Sequence, residues 1–192
     1  HQPNTYHLEY GNSCMGYEIP GAMGVKIADP SREVYAFVGD GTYLMMPSEI
    51  VTAVQEGIKV IIVLVNNHGF ASIGGLSQSL GSAGFGTRFR MRDSNSGQLE
   101  GEYLPVDFAA NARSLGAHTI SACTIKEFKE ALQEARKATQ TTVIVVETER
   151  EVRVPGYDSW WDVAVAETST MEDVQKARAE YEKALEKERY FL

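Results

Sequence analysis

Val34-Tyr35-Ala36-Phe37-Val38-Gly39-Asp40-Gly41 and, further along, Val60-Ile61-Ile62-Val63-Leu64-Val65-Asn66-Asn67-His68-Gly69-Phe70 are two apolar, β-branched runs that each end in small polar residues. Two such runs joined by a helix-like stretch predict a βαβ unit with a parallel sheet. Ligands of parallel sheets bind beyond the carboxyl ends of the strands, so Asp40 and Asn67 stand where a site is expected. Gly39 and Gly41 let a ligand approach the main chain closely beside that carboxylate. Pro47 suits the first turn of a helix over about 47–56, whose free N–H groups favour phosphate. That helix is expected to bury Ile50, Val51 and Val54 and to end at Gly57. One carboxylate and one amide oxygen are hard ligands of the kind Mg²⁺ takes alongside waters and phosphates. The pair predicts a diphosphate held through a divalent metal.

The chain length of 192 residues suffices for a core, and 43% hydrophobic with 23% charged residues describes a globular rather than a disordered chain. A formal net charge of −8, with no dense basic cluster beyond Arg88, Arg90 and Arg92, argues against nucleic acid and anionic membranes as partners. The strongest apolar run, 60–65, is strand-sized, so no transmembrane segment is expected, and no signal peptide is visible. Cys14 and Cys123 lack metal-site spacing and read as reduced, partly buried thiols of a cytoplasmic protein. The sequence opens at His1-Gln2-Pro3, without an initiator methionine and close to its first motif, which predicts part of a longer polypeptide.

Working outward, Tyr6, His7, Leu8 and Tyr10 alternate roughly as in a short strand within 1–12. Residues 13–28 read as a Gly-rich helix in which Pro20 is tolerable only in the first turn. The Gly/Ser-rich stretch 71–106 reads as a long loop, a candidate lid over a substrate. If that stretch is extended, Arg88, Arg90 and Arg92 share one face, either to meet an anionic or polyhydroxylated ligand or as a solvated edge. Asp107 caps a helix ending at Gly116, 118–121 is strand-like, and Thr124-x-x-Glu127 opens an amphipathic helix with Phe128, Ala131, Leu132 and Ala135 inward. Residues 142–147 form a further buried strand. Gly156-Tyr157-Asp158-Ser159-Trp160-Trp161 reads as a connector anchored on a neighbouring surface, and Ser169-x-x-Glu172 caps a last helix with Glu172 and Lys176 paired. The alternation predicts an α/β fold, a doubly wound, mainly parallel sheet with helices on both faces. The domain division expected is 1–150 for the binding domain and 151–192 for a C-terminal extension.

Gly39-Asp40-Gly41 followed after 24 residues by Asn66-Asn67 resembles the signature of the thiamine diphosphate-dependent enzymes. The resemblance implies thiamine diphosphate and Mg²⁺ as cofactors, with the metal held by side-chain oxygens of Asp40 and Asn67 and the carbonyl of Gly69. It also places the Thr42 hydroxyl on the diphosphate. Ser13-Cys14-Met15-Gly16, together with the small residues that follow, is similar to the segment that holds the aminopyrimidine ring in the acetolactate synthase and pyruvate decarboxylase branch. There Ser13 would offer its backbone carbonyl and Met15 would be the apolar wedge that bends the cofactor. Cys14, Gly16, Gly39, Gly41 and Phe70 complete the implied cofactor-binding set. His68 is read as a solvent-side or supporting residue rather than a general base.

Narrower still, the runs 6–11 and 13–19, Asn67-His68-Gly69-Phe70, and Gly156-Tyr157-x-Ser159-Trp160-Trp161-x-Val163 resemble the hydrolases of myo-inositol catabolism. Those enzymes cleave the C–C bond of a cyclic 1,2-diketone, trihydroxycyclohexane-dione, to give 5-deoxy-glucuronate. Asn12 departs from the aromatic residue of that pattern, and 71–101 matches it loosely. In this family the activating glutamate lies on a pyrimidine-binding domain of the same polypeptide or of a second subunit. No catalytic residue is therefore assigned within these 192 residues, and a homodimer or homotetramer is implied. Other readings remain at this stage. These are a 2-oxo acid decarboxylase or synthase of the same family, a non-catalytic cofactor-binding module, and a dinucleotide-binding oxidoreductase resting on Gly81-x-x-Gly84-x-Gly86 alone.

Overall fold

The computed structural model describes residues 5–8, 11–150, 152 and 163–189. Packing divides the chain into two compact units, His1–Gly69 with Pro105–Glu149, and Phe70–Leu104 with Arg150–Leu192.

The first unit is built on four parallel strands, β1 (Tyr35–Gly39), β2 (Ile61–Asn66), β3 (His118–Ala122) and β4 (Thr142–Glu147), in the order β1-β2-β4-β3. The runs that looked like buried strands are buried: Val60 to Leu64, Val143 and Ile144 lie within the core. Parallel pairing needs crossovers, and the helices supply them. Helix α1 (Glu18–Ala28) precedes β1 and packs on it, and α2 (Asp40–Met45) and α3 (Glu49–Gln55) run between β1 and β2. Between β3 and β4 runs the helix Ile125–Lys137, and Phe108–Ser114 precedes β3.

Those two helices cover opposite faces. Ala131 and Ala135 of Ile125–Lys137 pack with Ile61 and Ile144, and Tyr35, Ile120, Phe128, Leu132 and Val146 close around them. Thr119 alternates to the other face, where Arg113 of Phe108–Ser114 donates to its hydroxyl at 3.1 Å. The doubly wound α/β architecture is thus present. Helix starts follow their sequence signals here: Asp107 accepts from the Ala110 amide at 2.8 Å, and Thr124 and Glu127 form a reciprocal capping box.

Tyr43 on α2 fixes the polypeptide just after the Gly-Asp-Gly motif. Its ring is fully buried edge-on to Phe108 at 5.8 Å, and its hydroxyl donates to Asn111 at 2.8 Å. Burial pushes the phenol up to about 12, so it stays protonated as a donor.

Several expectations are corrected. Thr5–Leu8 is not a strand; Tyr6 and Leu8 are exposed, and no described strand pairs with them. Pro47 lies before a helix rather than inside one, because the chain makes α2 immediately at Asp40 and restarts at α3. Helical period puts Ile50 and Ala53 of α3 inward and leaves Val51 and Val54 on the exposed flank. Gly57 does end α3 with φ +64, its amide and that of Ile58 returning to Val54 and Ala53. Cys14 and Cys123 are exposed, and neither forms a disulfide.

In the second unit the expected loop begins with a helix, α4 (Ala71–Ser79). Gly74-Gly75 argues against a helix by propensity, but a Cβ on Gly74 would stand 2.7 Å from the Thr87 hydroxyl, so close packing requires the glycine. The alternating arginines are used within the unit. Arg88 donates to the Tyr103 hydroxyl at 3.2 Å, Arg90 donates to the Gly101 and Glu100 carbonyls and lies over the Tyr103 ring, and Arg92 donates to the Gly97 carbonyl. The last helix, Glu172–Leu185, starts at N-cap Met171; Ser169 stands two residues earlier and accepts from the Met171 amide at 3.1 Å. Its ion pair is Arg178 with Glu182, and Val174 is buried. The Gly156 to Trp161 segment lies outside the described residues. No described helix is long and apolar enough to cross a membrane.

Candidate functional site

Because all four strands run the same way, Gly39, Asn66, Ala122 and Glu147 end at one edge of the sheet. There the main chain leaving β1 meets the main chain leaving β2. Asp40, the first residue of α2, is fully buried; its Oδ1 accepts from the Gly41 amide at 3.0 Å and its Oδ2 from the Gly69 amide at 2.9 Å. Burial pushes the Asp40 carboxyl above its ordinary value, against the Gly69 and Gly41 N–H bonds and the nearby His68 ring, which favour the carboxylate. Two residues before Gly69, Asn67 holds its Oδ1 buried without a hydrogen-bond partner. An unsatisfied buried acceptor of this kind costs about 1–3 kcal/mol.

A buried carboxylate whose charge is penalised and an unpartnered amide oxygen are both groups that a bound cation would satisfy. Both donors are hard oxygens, as is a peptide carbonyl such as that of Gly69, and this donor set fits Mg²⁺ rather than a thiophilic metal. Among the described residues no group of three or more His, Cys, Asp or Glu forms an alternative metal cluster. A Cβ on Gly39 would meet no atom of the chain within 4 Å, so there is room at this strand end for a ligand.

The turn between Asn66 and Gly69 is held in an uncommon form. His68 has φ +60, a left-handed conformation costing roughly 1–2 kcal/mol for a residue with a Cβ. Its amide donates to Asn66 Oδ1 at 3.3 Å, and its Nε2 lies 2.6 Å from Glu147 Oε1. Asn66 Nδ2 donates to Glu147 Oε2 at 2.7 Å. The His68 side chain is only 14% exposed, so it does not stand on the solvent side. Glu147 was not singled out from the sequence; the available signal was its place at the end of β4, in register with Asn66.

The Ser13 to Gly16 segment reaches the same unit from the other end of α2. Gly16, buried with φ +96, places its α-carbon so that a Cβ would lie 3.5 Å from Met46 Cβ, and its amide donates to Glu18 at 3.2 Å. Ser13 has φ +39, Cys14 donates through Sγ to the Asn12 carbonyl, and Met15 is 41% exposed. Thr42 is half-buried on α2. Phe70 opens the second unit, where its amide donates to Thr87 at 2.8 Å and its ring meets Phe89 edge-on.

Residues 1–146 match the model of the thiamine pyrophosphate enzyme C-terminal TPP binding domain. The chain belongs to this family. Within it, the chain is 47% identical over 176 residues to 3D-(3,5/4)-trihydroxycyclohexane-1,2-dione hydrolase 1 of Bacillus cereus (strain ZK / E33L), covering 92% of this chain and 27% of that protein. A Bacillus anthracis hydrolase of the same name is 46% identical with the same coverage. This TPP-binding domain thus spans about a quarter of the length of those relatives. Among solved structures it is similar to the thiamine diphosphate-dependent 4-hydroxybenzoylformate decarboxylase of Rhodococcus jostii RHA1, with a TM-score of 0.57, 26% identity, and coverage of 70% of this chain and 23% of that one. Benzoylformate decarboxylase from Polynucleobacter necessarius gives a TM-score of 0.58 at 26% identity, covering 72% and 24%. In this TPP-binding domain Gly81, Gly84 and Gly86 follow helix α4 rather than a strand, which removes the dinucleotide-binding context.

Proposed function

We propose that this chain is the diphosphate-binding part of a thiamine diphosphate- and Mg²⁺-dependent hydrolase that cleaves the C–C bond of a cyclic 1,2-diketone, trihydroxycyclohexane-dione, in myo-inositol catabolism. The observation that carries the reading is the 46–47% identity, over 92% of the chain, to hydrolases named for that substrate. Decarboxylases of the same family share the fold at 26% identity, so a 2-oxo acid decarboxylase is the second reading.

Asp40, the Asn67 amide oxygen and the Gly69 carbonyl would hold Mg²⁺, and Thr42 with the Gly39–Gly41 backbone would hold the diphosphate. Ser13, Cys14, Met15 and Gly16 would contact the aminopyrimidine ring, Met15 as an apolar support that sets its bend. Phe70 is carried into the cofactor-binding set by the family resemblance alone. Bound thiamine diphosphate would supply the electron sink that bond cleavage beside a carbonyl needs. The chain's own contribution is orientation and a dry, electrostatically matched cradle. The activating glutamate is assigned to a pyrimidine-binding domain of the same polypeptide or a second subunit, in a cytoplasmic homodimer or homotetramer.

The full-length protein, supplied with thiamine diphosphate and Mg²⁺, is expected to open the cyclic diketone to 5-deoxy-glucuronate and to turn over benzoylformate far more slowly. Product analysis by mass spectrometry checks it. Faster decarboxylation of benzoylformate than hydrolysis of the diketone would replace this reading with the second one.

A further inference from the structure

We infer that Glu147 is a positioning residue for the metal cradle, acting through Asn66 and His68; the inference rests on the cofactor reading above. Glu147 ends β4, and register sets it beside Asn66 at the end of β2. Its two carboxylate oxygens divide their work. Oε2 takes the Asn66 amide at 2.7 Å, and Oε1 takes the His68 ring at 2.6 Å.

Each contact removes a freedom that the turn would otherwise have. Asn66, turned by Glu147, presents its Oδ1 to the His68 amide at 3.3 Å, and its own carbonyl is fixed by the Thr148 amide and hydroxyl at 3.1 and 2.8 Å. His68, held at its ring and at its amide, keeps the left-handed backbone angle that a residue with a Cβ disfavours. The reversal at His68 then turns the next amide, that of Gly69, onto Asp40 at 2.9 Å. The same turn leaves the preceding side chain, Asn67, with its oxygen buried and unpaired. Without Glu147 the Asn66 carboxamide and the His68 ring lose the partner that holds both of them, and the two proposed ligands after β2 would lose part of their setting.

The arrangement needs reach and two hydrogen-bonding atoms, not a charge. A carboxamide at 147 can accept from Asn66 and donate to the His68 ring nitrogen, so Glu147→Gln preserves both contacts. Glu147→Asp keeps the charge but is one methylene short of both. Two measurements on the full-length protein separate the cases: deuterium uptake over residues 66–70 without metal, and calorimetric affinity for thiamine diphosphate in the presence of Mg²⁺. Glu147→Asp is expected to raise uptake and weaken binding about 10- to 100-fold, the range for supporting residues around metal ligands. Glu147→Gln is expected to match wild type in both. Unchanged uptake and affinity with Glu147→Asp, or loss with Glu147→Gln, would overturn the assignment. Wild-type protein that binds no thiamine diphosphate would instead sink the cofactor reading, while the metal-free exchange measurement still judges Glu147 by itself.

Discussion

Asp40→Asn is expected to abolish Mg²⁺-dependent retention of thiamine diphosphate, weakening metal binding by at least ~100-fold, beyond the loss typical of supporting residues. The asparagine is the informative substitution. Asp40 is fully buried and accepts from two backbone amides, of Gly41 and Gly69. Alanine would strand both donors at about 1–3 kcal/mol each, so loss of cofactor could then follow from loss of structure. Asparagine keeps one acceptor and the side-chain volume, and it removes a charge that burial already disfavours. The one amide left facing the carboxamide nitrogen should cost the metal-free protein about 1–3 kcal/mol, less than alanine would, while metal binding disappears. Circular dichroism and thermal melts without metal, beside calorimetry with Mg²⁺, separate the two effects. Retained Mg²⁺-dependent binding in this variant would remove Asp40 from the ligand set.

The second large effect is structural and belongs to the second unit. Gly81 follows α4 with φ +85, and a Cβ there would stand 2.5 Å from the Asp173 carbonyl group and 2.7 Å from the Val174 amide. These are backbone atoms of the last helix and cannot swing aside. Gly81→Ala is expected to cost about 2–5 kcal/mol, combining roughly 1–2 for the left-handed backbone with 1–3 for overpacking. Gly86, with φ +75 and nothing within 4 Å of its would-be Cβ, supplies the control. Gly86→Ala carries the backbone term alone. Hydrogen exchange of the helices Ala71–Ser79 and Glu172–Leu185 should rise strongly for Gly81→Ala and modestly for Gly86→Ala. Equal effects would show that the Gly81 contact yields without cost.

What was legible in the sequence follows from how local its causes are. Strands β2 and β4 announce themselves because a strand buried on both faces must be continuously apolar. The Thr124–Glu127 box and the Asp107 cap are equally readable, since each uses residues three positions apart. The place of Asp40 and Asn67 beyond adjoining strand ends was legible because strand ends in a parallel sheet converge whatever the loops do.

The misses share a different cause. Helix α4 is held by packing of Gly74 on Thr87, a contact 13 residues away that no local propensity encodes. Val51 and Val54 turn outward because α3 buries the face carrying Ile50 and Ala53, a choice made by what packs against the helix rather than by its own apolar residues. The alternating arginines are absorbed by carbonyls of residues 97, 100 and 101 and by Tyr103, partners that only the folded chain brings near. Glu147 escaped notice for the same reason: its meaning lies in register with Asn66, 81 positions earlier.

The ends of β1 and β2 are proposed to form one divalent-metal site for a diphosphate. A crystal structure of the full-length protein grown with thiamine diphosphate and Mn²⁺ in place of Mg²⁺, with the metal located by its anomalous signal, tests this most directly. The ion is expected within about 2.0–2.3 Å of an Asp40 carboxylate oxygen, Asn67 Oδ1 and the Gly69 carbonyl. An ion bound to the diphosphate but away from Asp40 and Asn67, or cofactor seated elsewhere on the chain, would contradict it.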